Sequence, residues 1–158
     1  MKTTDAELRK LAHDAFQEKG WKVVRFFAKA AARHLRNCYI AAKLKPGKCG
    51  LVRYPRVEVS HKSKMGRLDT FLTPNQQDME RIQKRLTAAE FAAFKIRFYE
   101  MLHGVEHTIE AISLVTCQAT GRPAARRIAD RGGWLRTLHP TVARKLQLKE
   151  RSLGSWVH

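Results

Sequence analysis

The sequence predicts an all-α protein, a helical bundle with a C-terminal helix-turn-helix and one short extended or β arm. Apolar residues recur at helical spacing in most segments, capping residues and prolines stand where helices would begin, and two-residue alternation marks the end of the segment 51–60. The chain has 158 residues, which is long enough to bury a core. We expect three regions: a basic N-terminal helical pair over 1–46, an extended arm and linker over 47–72, and a helix-turn-helix DNA-binding region over 73–158.

The first predicted helix begins at a capping threonine, Thr3 or Thr4, and continues to Lys19. Apolar residues recur at helical spacing from Leu8 onward. Two acidic side chains in the first turn interact favourably with the helix dipole and stabilise the helix. Gly20 ends this helix.

A second helix of about twenty residues is predicted to follow, with an apolar back and a basic front, and to end at the turn 45–47. Between Glu18 and Glu58 the chain holds eleven basic residues and no acidic one. An apolar side is formed by Val24, Phe27, Ala31, Leu35, Cys38 and Ala42. A basic stripe on the other side is formed by Lys22, Arg25, Lys29, Arg33 and Arg36. Because a stripe needed only for solubility would interleave acidic residues, we predict that it contacts phosphates.

The extended arm follows Gly50. Leu51–Ser60 ends in two-residue alternation and contains a proline, which indicates a short edge strand or an extended arm. His61–Arg67 is polar and basic, and we predict a mobile linker there.

Two further helices are predicted between residues 73 and 104. Thr73 and Pro74 supply an N-cap and a first-turn proline for the first of them. Thr87–Glu90 forms a capping box that opens the second, in which phenylalanines recur at helical spacing as a thick apolar face. Gly104 ends this helix.

The remaining pattern is that of a helix-turn-helix. A short helix is predicted over 105–115, a turn over 116–121 and an arginine-rich helix over 122–131. In this arrangement the second helix enters the major groove, where arginine can bind guanine through two hydrogen bonds. The predicted DNA-binding residues are Gln118, Thr120, Arg122, Arg126, Arg127 and Arg131.

These motifs also carry a resemblance. The C-terminal half resembles region 4 of bacterial sigma factors and its relatives, which include phage late-gene antiterminators. The resemblance rests on the segment Leu86–Glu90, an apolar helix ending in Phe98 and Tyr99, a short helix, a turn and Arg126–Arg131. The resemblance covers about residues 86–138, a third of the chain. It implies promoter-proximal DNA binding together with contact to RNA polymerase.

The net charge points to a polyanionic partner. Thirty-one Lys and Arg against fourteen Asp and Glu give +17, far more than solubility requires, and nucleic acid is the leading candidate. No apolar stretch is long enough for a membrane span, and the opening residues lack the apolar centre of a secretory signal. Three cysteines are too few for a disulfide framework. We therefore expect a cytoplasmic protein that does not bind membranes.

Motifs for metal binding or catalysis are missing from the sequence. Four residues could be combined into a zinc site, but their spacings fit no familiar finger: His34, Cys38, Cys49 and His61. There is no P-loop, dinucleotide fingerprint or nucleophile elbow, and the carboxylates are scattered. We expect a protein that is not an enzyme and that has no metal and no cofactor.

Together these observations give the hypothesis of a sequence-specific, DNA-binding transcription regulator that also contacts RNA polymerase, as a phage antiterminator or late-gene activator would. Its expected partners are double-stranded DNA, bacterial RNA polymerase and nascent RNA. Two alternatives stay open. One is an RNA-binding protein with Tyr54 or Trp21 stacked on bases. The other is a small phage protein that docks on a host enzyme and inhibits it.

Overall fold

The computed structural model describes residues 2–45, 47–129 and 134–153, with side chains described as far as residue 146. The architecture is mixed α and β, with three two-stranded antiparallel sheets, so the predicted all-α bundle is wrong. The elements in chain order are α1 (Asp5–Phe16), a 3-10 turn (Lys19–Trp21), α2 (Lys22–Arg36), β1 (Tyr39–Leu44), β2 (Lys48–Arg53), β3 (Val57–Lys64), β4 (Arg67–Pro74), α3 (Gln76–Arg85), α4 (Ala88–Leu114), β5 (Arg126–Ala129), β6 (Leu135–Leu138) and α5 (Pro140–Leu153). The strand pairs are β1 with β2, β3 with β4 and β5 with β6.

The chain forms two compact units, each assembled from segments that are distant in the sequence. Unit 1 comprises Met1–Phe26, Ser63–Leu68 and Glu110–His158, and unit 2 comprises Phe27–Lys62 and Asp69–Ile109. Three helices or hairpins contribute residues to both units: α2, α4 and the β3–β4 hairpin.

Unit 2 is built around an apolar core shared by its part of α2, the β1–β2 hairpin, α3 and α4. The buried residues of this core are Leu35, Val52, Leu72, Met79, Ile82, Leu86, Phe94, Phe98 and Leu102. Phe94 and Phe98 stack with ring centroids 5.6 Å apart, and the ring of Tyr54 lies 5.3 Å from that of Phe98. The removal of these rings from water fixes the hairpin and the helices of the unit against one another.

Unit 1 has a smaller core of four alanines with a leucine, a valine and a cysteine. Its buried residues are Ala15, Cys117, Ala119, Ala125, Leu138, Val142 and Ala143. Trp21 is fully buried in the same unit, and its Nε1 donates a hydrogen bond to the Thr116 carbonyl at 2.9 Å.

The basic helix is shorter than predicted and is followed by a strand. α2 ends at Arg36, and Tyr39–Leu44 pairs with Lys48–Arg53 instead of continuing the helix. The apolar run around Ile40 is short enough to fit the spacing of a helix or of a strand, and pairing across the β1–β2 hairpin makes it a strand. The predicted apolar side is also only partly correct, because Val24 is buried whereas Phe27 is 58% exposed.

The predicted extended arm and mobile linker form regular hairpin strands. Val57–Lys64 pairs with Arg67–Pro74 as the β3–β4 hairpin. Met65 and Gly66 connect the two strands with φ values of 51° and 73°. Two consecutive residues with positive φ give the turn whose twist matches that of the flanking strands.

The predicted helix-turn-helix is absent from the described residues. α4 runs without a break through Gly104, and residues 126–129 form β5 rather than the middle of a second helix. A glycine costs a helix about 1 kcal/mol, which packing of the phenylalanine face offsets. Ala124 has a φ of 61°, a left-handed conformation that no right-handed helix accommodates. β5 instead pairs with β6, and Ile128 packs against the core of unit 1.

Gly20 occupies a position that leaves no room for a side chain. A Cβ at Gly20 would lie 2.1 Å from the Cys117 carbonyl oxygen and 2.3 Å from the Gly121 nitrogen, whereas nothing lies within 4 Å of a Cβ at Gly104. We expect Gly20→Ala to lower the free energy of unfolding by about 2 kcal/mol or more, because two backbone segments must separate. Gly104→Ala should raise it by about 0.5–1 kcal/mol, because alanine is the better helix former.

Urea denaturation followed by circular dichroism measures both changes. Equal stabilities for Gly20→Ala and the wild type would contradict the close packing at Gly20.

Candidate nucleic-acid interface

A groove with basic walls lies between α2 and β3 in unit 2. Its volume is about 550 Å³. Four of the lining residues are cationic and three are apolar: Lys29, Arg33, Arg36 and Arg56, with Ala32, Val57 and Val59. The described residues that line it include no carboxylate. We call it the basic groove.

Helix geometry explains how the basic groove forms. Lys29, Arg33 and Arg36 are spaced by four and three residues, so they lie on one side of α2. Leu35 and Ala32 are buried, which fixes the rotation of the helix and turns the cations toward the groove. On the facing wall, Val57 and Val59 share one side of β3 because side chains alternate along a strand.

The cations of the basic groove differ in how they are held. Lys29 and Arg33 are exposed, and within the described part of the chain no carboxylate contacts either one. Arg36 is half-buried, and its Nη1 donates a hydrogen bond to the Tyr54 carbonyl at 2.9 Å. The groove therefore combines two unpaired cations with a guanidinium fixed by the backbone.

The other two residues of the predicted phosphate-binding stripe lie in unit 1. Lys22 is exposed. Arg25 is paired, with its Nη2 2.7 Å from Oε2 of Glu18. The structure thus places three of the five predicted residues in the basic groove.

A second cationic depression lies in unit 2, and we call it the arginine pocket. It has a volume of about 200 Å³ and is lined by Arg36, Arg53, Arg81 and Arg85, with Val52, Asp78 and Ile82. Arg36 lines both depressions. Since β2, α2 and α3 each contribute an arginine, the pocket depends on the tertiary fold.

One buried carboxylate organises these arginines. Asp78 is 5% exposed and accepts hydrogen bonds from the Arg56 backbone nitrogen at 2.9 Å, from its Nε at 2.9 Å and from its Nη2 at 3.1 Å. Nitrogens of Arg36 and Arg81 lie 3.6 and 3.7 Å from its oxygens. The side-chain hydrogen bond from Arg56 is the main reason that the pKa of Asp78 falls from 3.8 to about 2. One negative charge thus faces three guanidinium groups, which leaves the cluster strongly positive.

The residues predicted to read DNA occupy different settings in unit 1. Gln118 is buried, and its Oε1 accepts a hydrogen bond from the Thr137 backbone nitrogen at 2.6 Å. Thr120 is exposed, and its Oγ1 accepts one from the Arg122 backbone nitrogen at 3.3 Å. Exposed side chains belong to Arg122, Arg126 and Arg127, and Arg131 lies outside the described residues. Arg126 and Arg127 are neighbours on β5, so their side chains point to opposite faces of the hairpin instead of sharing a helix face.

No cluster of metal ligands is present among the residues that the structure describes, since no three His, Cys, Asp or Glu side chains lie close enough to hold an ion. Cys38, Cys49 and Cys117 are free thiols. Within the same residues, no helix has the length and apolar character needed to cross a membrane.

Sequence reasoning missed most of the arginine pocket and one residue of the basic groove, Arg56. Arg53 and Arg56 were counted only as part of the acid-free run, and Arg81, Arg85 and Asp78 were not identified. The spacing of four between Arg81 and Arg85 places them on one side of α3 and was the available signal. Nothing in the sequence shows that β2 brings Arg53 to that side.

The carboxylate of Asp78 should contribute to stability above its unfolded pKa. We expect Asp78→Asn to lower the free energy of unfolding by about 2 kcal/mol at pH 7, because amide hydrogen bonds replace charge-assisted ones. The pKa of Asp78 is lower in the folded state. The difference between wild type and variant is therefore complete above about pH 5 and shrinks as the pH falls toward about 2.

Urea titrations of both proteins at pH 7 and near pH 3 provide the measurement. A difference that stays constant over this range would show that the charge of Asp78 does not stabilise the fold.

No protein-family model, curated protein or solved structure matches this chain.

Proposed function

We propose that the protein binds nucleic acid through the phosphate backbone, at the basic groove and the arginine pocket of unit 2. The observation that carries this proposal is the lining of the basic groove: four cationic side chains, no carboxylate among the described lining residues, and no ion pair to Lys29 or Arg33 from the described part of the chain. Lys29 and Arg33 lie beside two further cations without a carboxylate of their own, and a chain of phosphates relieves the resulting repulsion while releasing its own counterions.

The hydrogen-bonding capacity of these arginines supports a phosphate ligand. A guanidinium group carries five N–H donors in a planar fork that matches the oxygens of phosphate. Arg36 donates to the Tyr54 carbonyl and faces Asp78, so it is held in place while other donors stay available. Because Arg36 lines both depressions, a polyanion in the basic groove would continue directly into the arginine pocket.

Binding at this surface would depend on the phosphates more than on base sequence. Lysine and arginine contacts with phosphate position a protein on nucleic acid but carry no sequence information directly. The prediction of sequence-specific duplex DNA binding depended on a recognition helix over 122–131. The described residues contain no such helix. Contact with RNA polymerase or another host enzyme stays a prediction.

Two aromatic residues considered for base stacking are unsuited to it. Trp21 is fully buried, with its Nε1 bound to the Thr116 carbonyl. Tyr54 packs against Phe94 and Phe98 in the core of unit 2. RNA binding by stacking on either ring is therefore not proposed.

Removing the two unpaired cations of the basic groove should weaken binding. We expect Lys29→Gln combined with Arg33→Gln to raise the Kd for a mixed-sequence oligonucleotide roughly 10-fold at physiological salt. The slope of log K against log salt should become shallower by about 1.4 on a single strand, because two phosphate contacts are lost. Fluorescence anisotropy with a labelled oligonucleotide at several salt concentrations measures both effects.

A matched control removes two charges elsewhere in unit 2. Lys84 and Arg97 are exposed and line neither depression. Their double Gln variant should keep most of the affinity and the salt slope. Equal losses in the two double variants would assign binding to net charge alone and would refute the role of the basic groove.

A further inference from the structure

Resting on the proposed function, we infer that unit 2 selects single-stranded nucleic acid and that Tyr39 is the platform on which one unpaired base stacks. The neighbouring phosphate would lie in the arginine pocket. The ligand class is therefore a flexible strand with exposed bases, in preference to a duplex.

Tyr39 lies on the outer face of the β1–β2 hairpin, where its side chain is 56% exposed. It is directly paired with Arg53 across the two strands. The guanidinium carbon of Arg53 lies 6.0 Å from the centre of the tyrosine ring, at the distance of a cation–π contact. An exposed ring beside a guanidinium group is the combination that stacks on bases while attracting the backbone.

Arg53 connects the ring to the arginine pocket. Its Nε donates to the Arg36 carbonyl at 2.7 Å and its Nη2 to Oδ1 of Asn37 at 3.0 Å, so two of its N–H groups hold the guanidinium in place. The remaining three of its five donors are available to a ligand. Because Arg53 also lines the arginine pocket, a phosphate bound there and a base on Tyr39 would belong to the same or adjacent nucleotides.

The rest of this outer face suits the same ligand. Leu51 is 64% exposed opposite Ala41, and Lys43 is exposed opposite Cys49. Neither strand contains an acidic residue. The face therefore offers apolar and cationic groups together, with no carboxylate of its own to repel a strand.

The selection of single strands follows from which surfaces of a base an aromatic side chain can contact. In a duplex each base is covered above and below by its neighbours, so an aromatic side chain on a protein surface meets only backbone and base edges. In a single strand the faces of the bases can be splayed onto such a ring, and every base has a face to offer. Tyr39 can add to binding only when the bases are unpaired.

The test separates stacking from backbone contact by using strands of one length: single-stranded DNA, single-stranded RNA, duplex DNA, and a DNA strand with abasic sites throughout. We expect wild type to bind a base-bearing single strand roughly 10-fold more tightly than the abasic strand. Tyr39→Leu should abolish that difference and leave abasic and duplex binding unchanged, whereas Tyr39→Phe should preserve it. If Tyr39→Leu removes the affinity advantage of the DNA strand or of the RNA strand over the abasic strand, the inference is supported, and the strand affected is the one that the protein uses.

Two controls keep the outcome clear. Phe71→Leu replaces another exposed aromatic residue on a strand of unit 2 and should leave every affinity unchanged. Photocrosslinking of a 5-iodouracil strand to the wild-type protein should map to Tyr39, whatever the stability of the variants.

Tyr39→Leu binding all ligands like the wild type, or crosslinks that map away from Tyr39, would overturn the stacking inference. Wild-type affinity for duplex DNA equal to that for the single strand would overturn the selection of single strands. The proposed function would survive all of these results, because abasic and duplex binding report on the backbone alone. It would fail only if none of the four ligands showed salt-sensitive binding that depends on Lys29 and Arg33.

Discussion

The arrangement of unit 2 depends on the carboxylate of Asp78. This group lies at the third position of α3, where the helix dipole favours a negative charge, and it is almost fully buried. Burying an isolated carboxylate costs several kcal/mol, and three guanidinium groups around it offset that cost. One acidic side chain thus connects α2, the residue preceding β3, and α3. Without it, Arg36, Arg56 and Arg81 would repel one another.

The cations of the basic groove and the arginine pocket differ in whether hydrogen bonds hold them in place. Asp78 accepts two side-chain hydrogen bonds from Arg56, and Arg36 and Asn37 accept two from Arg53, so both guanidinium groups are held in place with three N–H donors left over. Arg33 and Lys29 lie about one and two turns before Arg36 on α2, and no carboxylate in the described part of the chain contacts either one. Two residues of the basic stripe therefore present unpaired charge in the basic groove, where the fold provides a facing strand.

The sequence predicts the helices better than the strands. α1 begins at the capping box of Thr4, and Thr87 caps α4 as expected, because these signals are local. The β1–β2 hairpin was missed because Tyr39–Leu44 is short enough to fit either period. Lys29, Arg33 and Arg36 were predictable for the same local reason as the helices. The arginine pocket was not predictable, because it depends on contacts between residues far apart in the sequence. One of these joins Asp78 to Arg56, 22 residues away.

Free and fixed cations contribute differently to affinity for a polyanion. An unpaired lysine or arginine at the surface gains mainly from counterion release, so its contribution falls as salt rises. A guanidinium held by the backbone, such as that of Arg53, loses less conformational freedom on binding and can direct its remaining donors at one phosphate. The basic groove would thus supply most of the salt-sensitive attraction. Arg53 lines the arginine pocket and also contacts the ring of Tyr39. A phosphate bound in the pocket would therefore fix which base along the strand stacks on Tyr39.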